Sequence, residues 1–382
     1  MEGARMKILV TGGAGFIGTH LCRKLLDEGC FVRVLDNFSE QIHGNDPDID
    51  NDISKVEFVR GDIRDQSLVA SSIKDIDVIV HFAAETGTGQ SMYEISKYEE
   101  VNVGGTLNII EFLLQNKTNV KKIIVASSRS TYGEGAYHCK QHGDVFPQER
   151  REEDMLNGFF EPRCPVCNEF VSSIPTQEST PLNPLSYYAI TKQVQEQMVL
   201  MYAKVLGISA FALRYQNVYG PGQSLINPYM GIIAIFSTLA RNNDEIRIFE
   251  DGLESRDFVY VDDVVNATWK CIDPSNEGIA SYNVGSGVST SVNEVAQEIV
   301  KFFNSNSKIV TTGEFRTGDI RHNYADLTKI SKALNYTPSW SFSDGLKSFL
   351  DWTSNQPYES ISFNKSLREL SEKGLLKMSQ KK

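Results

Sequence analysis

Apolar residues in the first half of the chain fall in short continuous runs, separated by longer stretches in which they recur every three or four positions. Lys7–Val10, Phe31–Leu35, Val56–Val59, Val78–Phe82, Ile123–Ala126 and Ser209–Leu213 are such runs and predict strands. The stretches between them predict amphipathic helices, the first over about Thr19 to Glu28. Strands alternating with helices imply right-handed crossovers, so the expected fold class is α/β: a parallel, doubly wound, Rossmann-type sheet buried on both faces.

Beyond Asn217 the pattern loosens. Gly220-Pro221-Gly222 interrupts it, a helix is expected near Gly231 to Arg241, and strand-like segments return at Asp257–Val261 and Tyr282–Val284. The expected division is a first, Rossmann-type lobe over 6–220 carrying an insertion at 134–180, then a smaller discontinuous lobe over 221–350. From that second lobe, 255–275 is expected to return to the first, and 351–382 forms a C-terminal extension. No internal repeat is visible, and the Lys-rich tail after about Asn364 reads as poorly anchored. A length of 382 residues, above what one compact core usually accommodates, agrees with two lobes and with an enzyme rather than a small module.

Strand Lys7–Val10 leads into Gly12, Gly15 and Gly18, spaced three apart, and then into a helix. Glycines so placed let the backbone turn tightly and approach a pyrophosphate, which the helix N-terminus then faces. The next strand ends in Asp36, whose carboxylate would bond an adenosine ribose and repel a 2′-phosphate, so NAD is expected in preference to NADP. Asp62 follows the third strand and could bond the adenine amine; Phe16, Ile17, Asn37, Ile63, Ala83 and Asn102 complete the expected cofactor-facing set. His81 at the fourth strand's end is expected to be packed and without chemical role.

Tyr188 and Lys192, at i and i+4, share one helix face. A tyrosine is a poor base at neutral pH, but a neighbouring ammonium and a cationic nicotinamide both favour its phenolate. Both residues are therefore expected to touch the cofactor and to carry the chemistry.

Net charge is −11 and the pI is near 5.2, which argues against a nucleic-acid partner. The longest apolar stretch, Gly231 to Ala240, is about half the roughly 20 residues of a membrane helix, so no membrane partner is expected. Glycines follow Ile8-Leu9-Val10 at once, leaving no signal-peptide core; a cytoplasmic location is expected, with residues 1–5 as a dispensable leader. Six cysteines in such a compartment suggest thiols or metal ligands. Cys139-x-x-His142 and Cys164-x-x-Cys167 in the insertion suit a tetrahedral structural zinc, while Cys22, Cys30 and Cys271 read as inert core residues. The insertion was also a candidate lid over the substrate pocket.

The chain resembles the extended short-chain dehydrogenases, particularly the nucleotide-sugar epimerases and dehydratases. The resemblance rests on Thr11–Gly18, the Ser127-Ser128 run, Tyr188/Lys192, Leu213–Pro221 and Ser255–Val259, and covers roughly residues 6 to 350. It implies Ser128 as a hydroxyl bonding the sugar oxygen, Tyr188 as general base and acid, and Lys192 as anchor of the nicotinamide ribose. It further implies Asn217 as a substrate contact, Arg256, Arg316 and Arg321 at the nucleotide diphosphate and Asp319 near the nucleoside ribose, with Asn227-Pro228-Tyr229 lining the nucleotide pocket. Arg129 and Ser130 stand where family dehydratases carry Asp-Glu, which disfavours dehydration and leaves 4-epimerisation of a nucleotide-diphosphate sugar. Gly89–Glu94 and the cysteine-bearing insertion resemble epimerases acting on dTDP-L-rhamnose. Family analogy also implies a homodimer through a helix bundle. A dehydrogenase releasing oxidised sugar, or a non-catalytic nucleotide binder, are the alternatives.

Overall fold

The computed structural model describes residues 5–44, 54–225, 227, 229, 231–357 and 363–380, so of the expected leader only Arg5 lies within them, and Pro228 lies outside. At its centre is a seven-stranded sheet. Its first five strands in the chain are β1 (Lys7–Thr11), β2 (Phe31–Asp36), β3 (Glu57–Arg60), β4 (Val78–His81) and β5 (Lys122–Ser128). Strands Ser209–Tyr215 and Ile279–Val284 extend it beyond β5, giving the order Ile279–Val284, Ser209–Tyr215, β5, β4, β1, β2, β3. Every pairing in it is parallel.

The strands are apolar on both faces because both faces are covered. Ile8 and Val10 point into one core with Leu21 and Leu25, whereas Leu9 between them packs with Ile79, Ile109 and Ile110 in the other. β5 and strand Ser209–Tyr215 each continue two residues past the end of their apolar runs. Arg214 continues strand Ser209–Tyr215 although buried, because Glu196 accepts two hydrogen bonds from it at 3.1 and 2.5 Å. The same carboxylate takes a 2.6 Å bond from Ser127 at the end of β5.

The return to the large sheet, expected over 255–275, extends to Val284. Ile279–Val284 pairs in register with Ala210–Tyr215 and forms the edge, with helices Thr328–Leu334 and Tyr187–Leu206 packed against it. The smaller lobe is built on helices Ile232–Arg241 and Val292–Phe302, the latter closed by a capping box between Ser291 and Glu294, with short strands Ile246–Ile248 and Ile309–Thr311 beside them. Asp257, fully buried between the lobes, accepts N–H bonds from Ser286, Gly287 and Ala325 and so fixes the chain just after Ser255-Arg256.

The insertion is a small three-stranded sheet (Tyr137–Cys139, Gly143–Val145, Ser172–Ser173) with helix Glu152–Leu156. The tail after Asn364, expected to be loose, is anchored. Helix Phe363–Glu372 buries Leu370, and strand Leu376–Met378 pairs antiparallel with Glu314–Arg316. Gln380 N–H bonds the Leu156 carbonyl at 2.8 Å, joining the tail to the insertion. Among the described residues no helix is long and apolar enough to cross a membrane.

Candidate active site

One cavity of about 730 Å³ runs along the carboxyl ends of the strands, where ligands bind in such sheets, and continues under the smaller lobe. Its first end is the glycine turn after β1. Gly12 has φ +70°, and a Cβ there would lie 2.7 Å from the Ala83 nitrogen; a Cβ on Gly18 would lie 2.4 Å from the Gly12 carbonyl. The glycines therefore permit a turn that no side chain would fit. Helix Phe16–Asp27 (α1) starts there, and its N-cap Gly15 brings no capping side chain. Gly15, Phe16, Ile17 and Gly18 all line the cavity, so the first-turn N–H groups are left for an anion.

Asp36 lines the same end, its carboxylate steadied by the N–H groups of Ala14 at 3.0 Å and Phe38 at 2.9 Å. Asn37, Ile63 and Ala83 line it too. An acidic group at the end of β2 beside a glycine cradle and a bare helix N-terminus fits a dinucleotide without a 2′-phosphate. Two members of the expected set stand back from the wall. Asp62 is occupied by Arg64, whose hydrogen bonds hold its pKa at about 2, and by Asn37. Asn102 is fully buried in a π-helical turn, Glu99–Gly104, and bonds the backbone of Glu85 and the hydroxyl of Thr191. It braces the cavity wall against the helix that carries Tyr188.

That helix, Tyr187–Leu206, begins at Ser186, whose hydroxyl accepts the Ala189 N–H at 3.2 Å. Its first turns aim Tyr188 and Lys192 at the end of β5, and Ser128, Tyr188 and Lys192 share the cavity wall. The Lys192 ammonium bonds the Ala126 carbonyl at 3.0 Å and lies 6.0 Å from the centre of the Tyr188 ring. Burial lowers the Lys192 pKa to about 7. Burial raises that of Tyr188, while a side-chain hydrogen bond with Ser128 and the charge of Arg129 pull it back down. A tyrosine poised in this way can exchange a proton with a bound hydroxyl. His81, by contrast, is clasped between the hydroxyls of Thr11 and Thr106, and burial, with the Lys192 charge, holds it neutral with a pKa of about 3.

The other end of the cavity is cationic. Arg256 and Arg316 line it and both hold Asp319, at 3.2 and 2.7 Å. Burial would raise the Asp319 pKa, but Arg316, Arg256, Arg150 and Arg129 outweigh it and keep the carboxylate ionised. Asn217 and Asn227 line the middle, and Tyr229 bonds Tyr93 at 2.8 Å and also Glu369. Arg321 is not brought to the cavity. Its guanidinium is wholly buried on the far side of the loop, paired with Glu161 at 2.7 Å, Glu250 at 2.9 Å and Asp251 at 2.7 Å. No residue of 134–180 lines the cavity, so the insertion is not a lid.

Sequence reasoning left three groups of lining residues without a role. Arg129 reaches Asn217 at 3.3 Å and projects its charge at Tyr188. Its position directly after Ser128 was the available signal. Glu254, 7% exposed and raised to a pKa of about 7 chiefly by burial, had none. Leu367, Leu370 and Leu375 close the roof from the tail, and the i, i+3 spacing of the first two within a charged segment was a legible trace of the helix that carries them.

In the insertion, one ligand atom from each of Cys139, His142, Cys164 and Cys167 lies within 4.8 Å of the others. The Cys139–Cys167 sulfurs are 3.6 Å apart, and His142 Nδ1 stands 3.5 Å from Cys139 Sγ and 3.6 Å from Cys164 Sγ. Tetrahedral zinc with ordinary bond lengths sets such edges at about 3.5–3.8 Å. Cys22 and Cys271 are buried, with pKa values raised by that burial to about 12, and are inert.

A profile described as the NAD dependent epimerase/dehydratase family matches residues 8–165 and 167–285. The dTDP-L-rhamnose 4-epimerase of Burkholderia thailandensis is 35% identical over 353 residues, 92% of this chain and 95% of that protein. The structure of UDP-glucose 4-epimerase with UDP-glucose from Thermotoga maritima superposes with a TM-score of 0.74 at 29% identity, covering 91% of this chain and 99% of that one. UDP-glucuronic acid 4-epimerase from Bacillus cereus, in complex with UDP-glucuronic acid and NAD, gives 0.73 at 27% identity over 91% and 99%.

Two predictions follow from this geometry. Gly18→Ala, which drives a methyl onto the Gly12 carbonyl, weakens NAD binding measured by calorimetry roughly tenfold to a hundredfold, as overpacking of this size does; unchanged affinity would refute the cradle. Lys192 takes up its proton in the unfolded chain below 10.5 but in the fold only below about 7, so stability at this position rises with pH between those values. Ligand-free Lys192→Met should therefore melt above the wild type near pH 7, with the gap narrowing by about pH 9.5. A gap that widens with pH contradicts the buried ammonium.

Proposed function

The chain belongs to the NAD dependent epimerase/dehydratase family, and we propose that it is an NAD-dependent nucleotide-sugar 4-epimerase acting on dTDP-L-rhamnose. The observation that carries the activity is the wall shared by Ser128, Tyr188 and Lys192, between a glycine cradle at one end and the Arg256–Asp319–Arg316 cluster at the other. The sugar preference rests on the 35% identical relative.

Gly12, Gly15, Phe16, Ile17, Gly18, Asp36, Asn37, Ile63 and Ala83 would hold the NAD, with Asp62 and Asn102 bracing that wall from behind. Bound there, NAD supplies reversible oxidation at the sugar carbon. Tyr188 Oη takes the proton of the sugar C4 hydroxyl and later returns it, while Ser128 bonds the same oxygen and steadies it through the transfer. Lys192 anchors the nicotinamide ribose and, while charged, favours the Tyr188 phenolate; Arg129 acts on the phenolate in the same sense. Arg256 and Arg316 exchange the Asp319 carboxylate for the diphosphate, freeing Asp319 for the nucleoside ribose, and Asn217 orients the sugar. Arg129 in place of an acid supports epimerisation over loss of water, since a guanidinium cannot remove a carbon-bound proton.

We also propose a homodimer. Leu107 and Leu114 on helix Gly105–Gln115, and Ile190, Met201 and Val205 on helix Tyr187–Leu206, are exposed apolar residues on two helices packed side by side. The Cys139, His142, Cys164 and Cys167 group is proposed to hold a structural zinc, and six cysteines outside any disulfide support a reducing compartment, the cytoplasm.

Incubated with dTDP-L-rhamnose and followed by NMR, the wild type should equilibrate the sugar with its C4 epimer without net NADH absorbance, and Tyr188→Phe should lower kcat about 10²- to 10⁴-fold. Accumulating NADH would instead identify a dehydrogenase, and no turnover of any nucleotide sugar a non-catalytic binder. Light scattering should give twice the chain mass for the wild type and the single mass for Val205→Asp; a wild-type monomer rules the dimer out.

A further inference from the structure

We propose that the metal held by Cys139, His142, Cys164 and Cys167 is a clamp on the nucleotide end of the cavity, so that metal loading sets affinity for the nucleoside diphosphate while leaving the NAD end unaffected. The inference rests on the zinc reading above and assigns that ion a task beyond stapling the insertion.

Hydrophobic burial contributes little at the knuckle itself. The apolar cluster there is Tyr137, Cys139, Val145, Cys164 and Val171, so two of its five buried members are the thiols themselves. Val166, at the tip between Cys164 and Cys167, is 68% exposed. The loop is closed by Cys164 N–H on Glu169 at 2.7 Å, Asn168 N–H on Cys164 at 2.9 Å and Val171 N–H on Pro162 at 3.2 Å, and Arg163 ties it to Asp154 at 2.7 and 3.0 Å and to the Asn168 carbonyl at 3.1 Å. A closed four-ligand ion would fix this loop where hydrophobic burial does not.

From the knuckle the path to the substrate is short. Three residues before Cys164, Glu161 accepts a bond from Arg321 Nε at 2.8 Å and meets His322 Nε2 at 3.1 Å. On the other arm, two residues before Cys139, the Tyr137 hydroxyl accepts the His322 N–H at 3.2 Å and bonds Glu134, which accepts the Arg321 N–H at 2.9 Å. Both arms thus grip Arg321 and His322. These residues end the loop that presents Arg316 and Asp319, and Arg256 bonds the carbonyls of Ile320 and Arg321, both at 2.8 Å. Arg150 of the insertion adds a 2.9 Å bond to the Asp319 carbonyl.

The insertion reaches the diphosphate residues at every one of these points and touches the cavity at none, since its lining passes from Ser130 to Ser186. The cradle for NAD is built from residues 12–18, 35–43, 61–63 and 82–89 and shares no such contact. A displaced loop 316–322 therefore spreads Arg316 and Asp319 away from Arg256 and leaves the first end of the cavity as it was. Glu161, Tyr137 and Arg150 are positioning residues in this scheme.

The full-length protein, purified from zinc-supplemented culture, should contain one zinc per chain by elemental analysis. Its cobalt form should show the absorption of tetrahedral thiolate coordination. Stripping the metal, or Cys167→Ser, should weaken binding of dTDP in calorimetry about tenfold, the size of one lost charge-assisted hydrogen bond, and raise KM more than it lowers kcat. Affinity for NAD should stay within about twofold, a difference inside ordinary context dependence. Glu161→Gln should keep the zinc and still weaken dTDP, which tests the link even where stripping unfolds the insertion. A protein without bound metal overturns the zinc reading and the clamp with it. Zinc present, with dTDP affinity unmoved both by stripping and by Glu161→Gln, overturns the clamp alone.

Discussion

The burial of Arg321 is the constraint on which the substrate half of the molecule depends. A guanidinium with no exposed surface costs several kcal/mol in desolvation unless carboxylates surround it in good geometry. Here they come from Glu161 of the insertion and from Glu250 and Asp251 of the smaller lobe, with Glu254 behind at 3.8 Å. A second guanidinium, Arg150, bridges Glu134 at 3.1 Å and Glu250 at 2.8 Å and completes the lattice. Segments around residues 134, 150, 161, 250 and 321 must therefore converge, or a buried charge is left unpaired. Arg316 and Asp319 inherit their positions from that convergence.

At the chemical centre the charges are arranged in the opposite way. Lys192 is buried with a carbonyl for a partner and no carboxylate bonded to it, which makes its ammonium easy to discharge. Tyr188, half-buried, is held in its neutral form until positive charge arrives. The two residues are thus balanced near the point where a cationic cofactor ring and a sugar hydroxyl decide the proton's place. Buried ion pairs thus make the frame behind the cationic end rigid, while Lys192 beside Tyr188 is held by a carbonyl alone.

Legibility in the sequence followed the range of the forces involved. The strand, glycines, helix and Asp36 of the cradle obey local rules, and they were readable because a turn that excludes Cβ atoms can be recognised within ten residues. Strand Ile279–Val284 was recognised in its apolar end but assigned to the wrong side of the molecule, since pairing with Ala210–Tyr215 is a long-range choice. Arg256 and Arg321 look alike in sequence; only the carboxylates gathered by the fold decide that one faces the cavity and the other turns away. Asp62 and Asn102 were expected to face the cofactor; the pattern did not show that Arg64 and Thr191 occupy their side chains and that neither lines the cavity. The tail defeated composition altogether, because three leucines among lysines and glutamates are enough once a roof is available to cover.

That roof has a consequence for the order in which the molecule can mature. Helix Phe363–Glu372 reaches the cavity through Leu367 and Leu370 and through Glu369, which accepts bonds from Tyr93 and Tyr229, and strand Leu376–Met378 then locks onto Glu314–Arg316. These are the last of the described residues to leave the ribosome, whereas the cradle and the helix bearing Tyr188 are complete once Leu206 has been added. A nascent chain can own a competent dinucleotide pocket while its sugar pocket is still open to water. During that interval a dinucleotide, rather than a nucleotide sugar, is the ligand that can stabilise the growing fold.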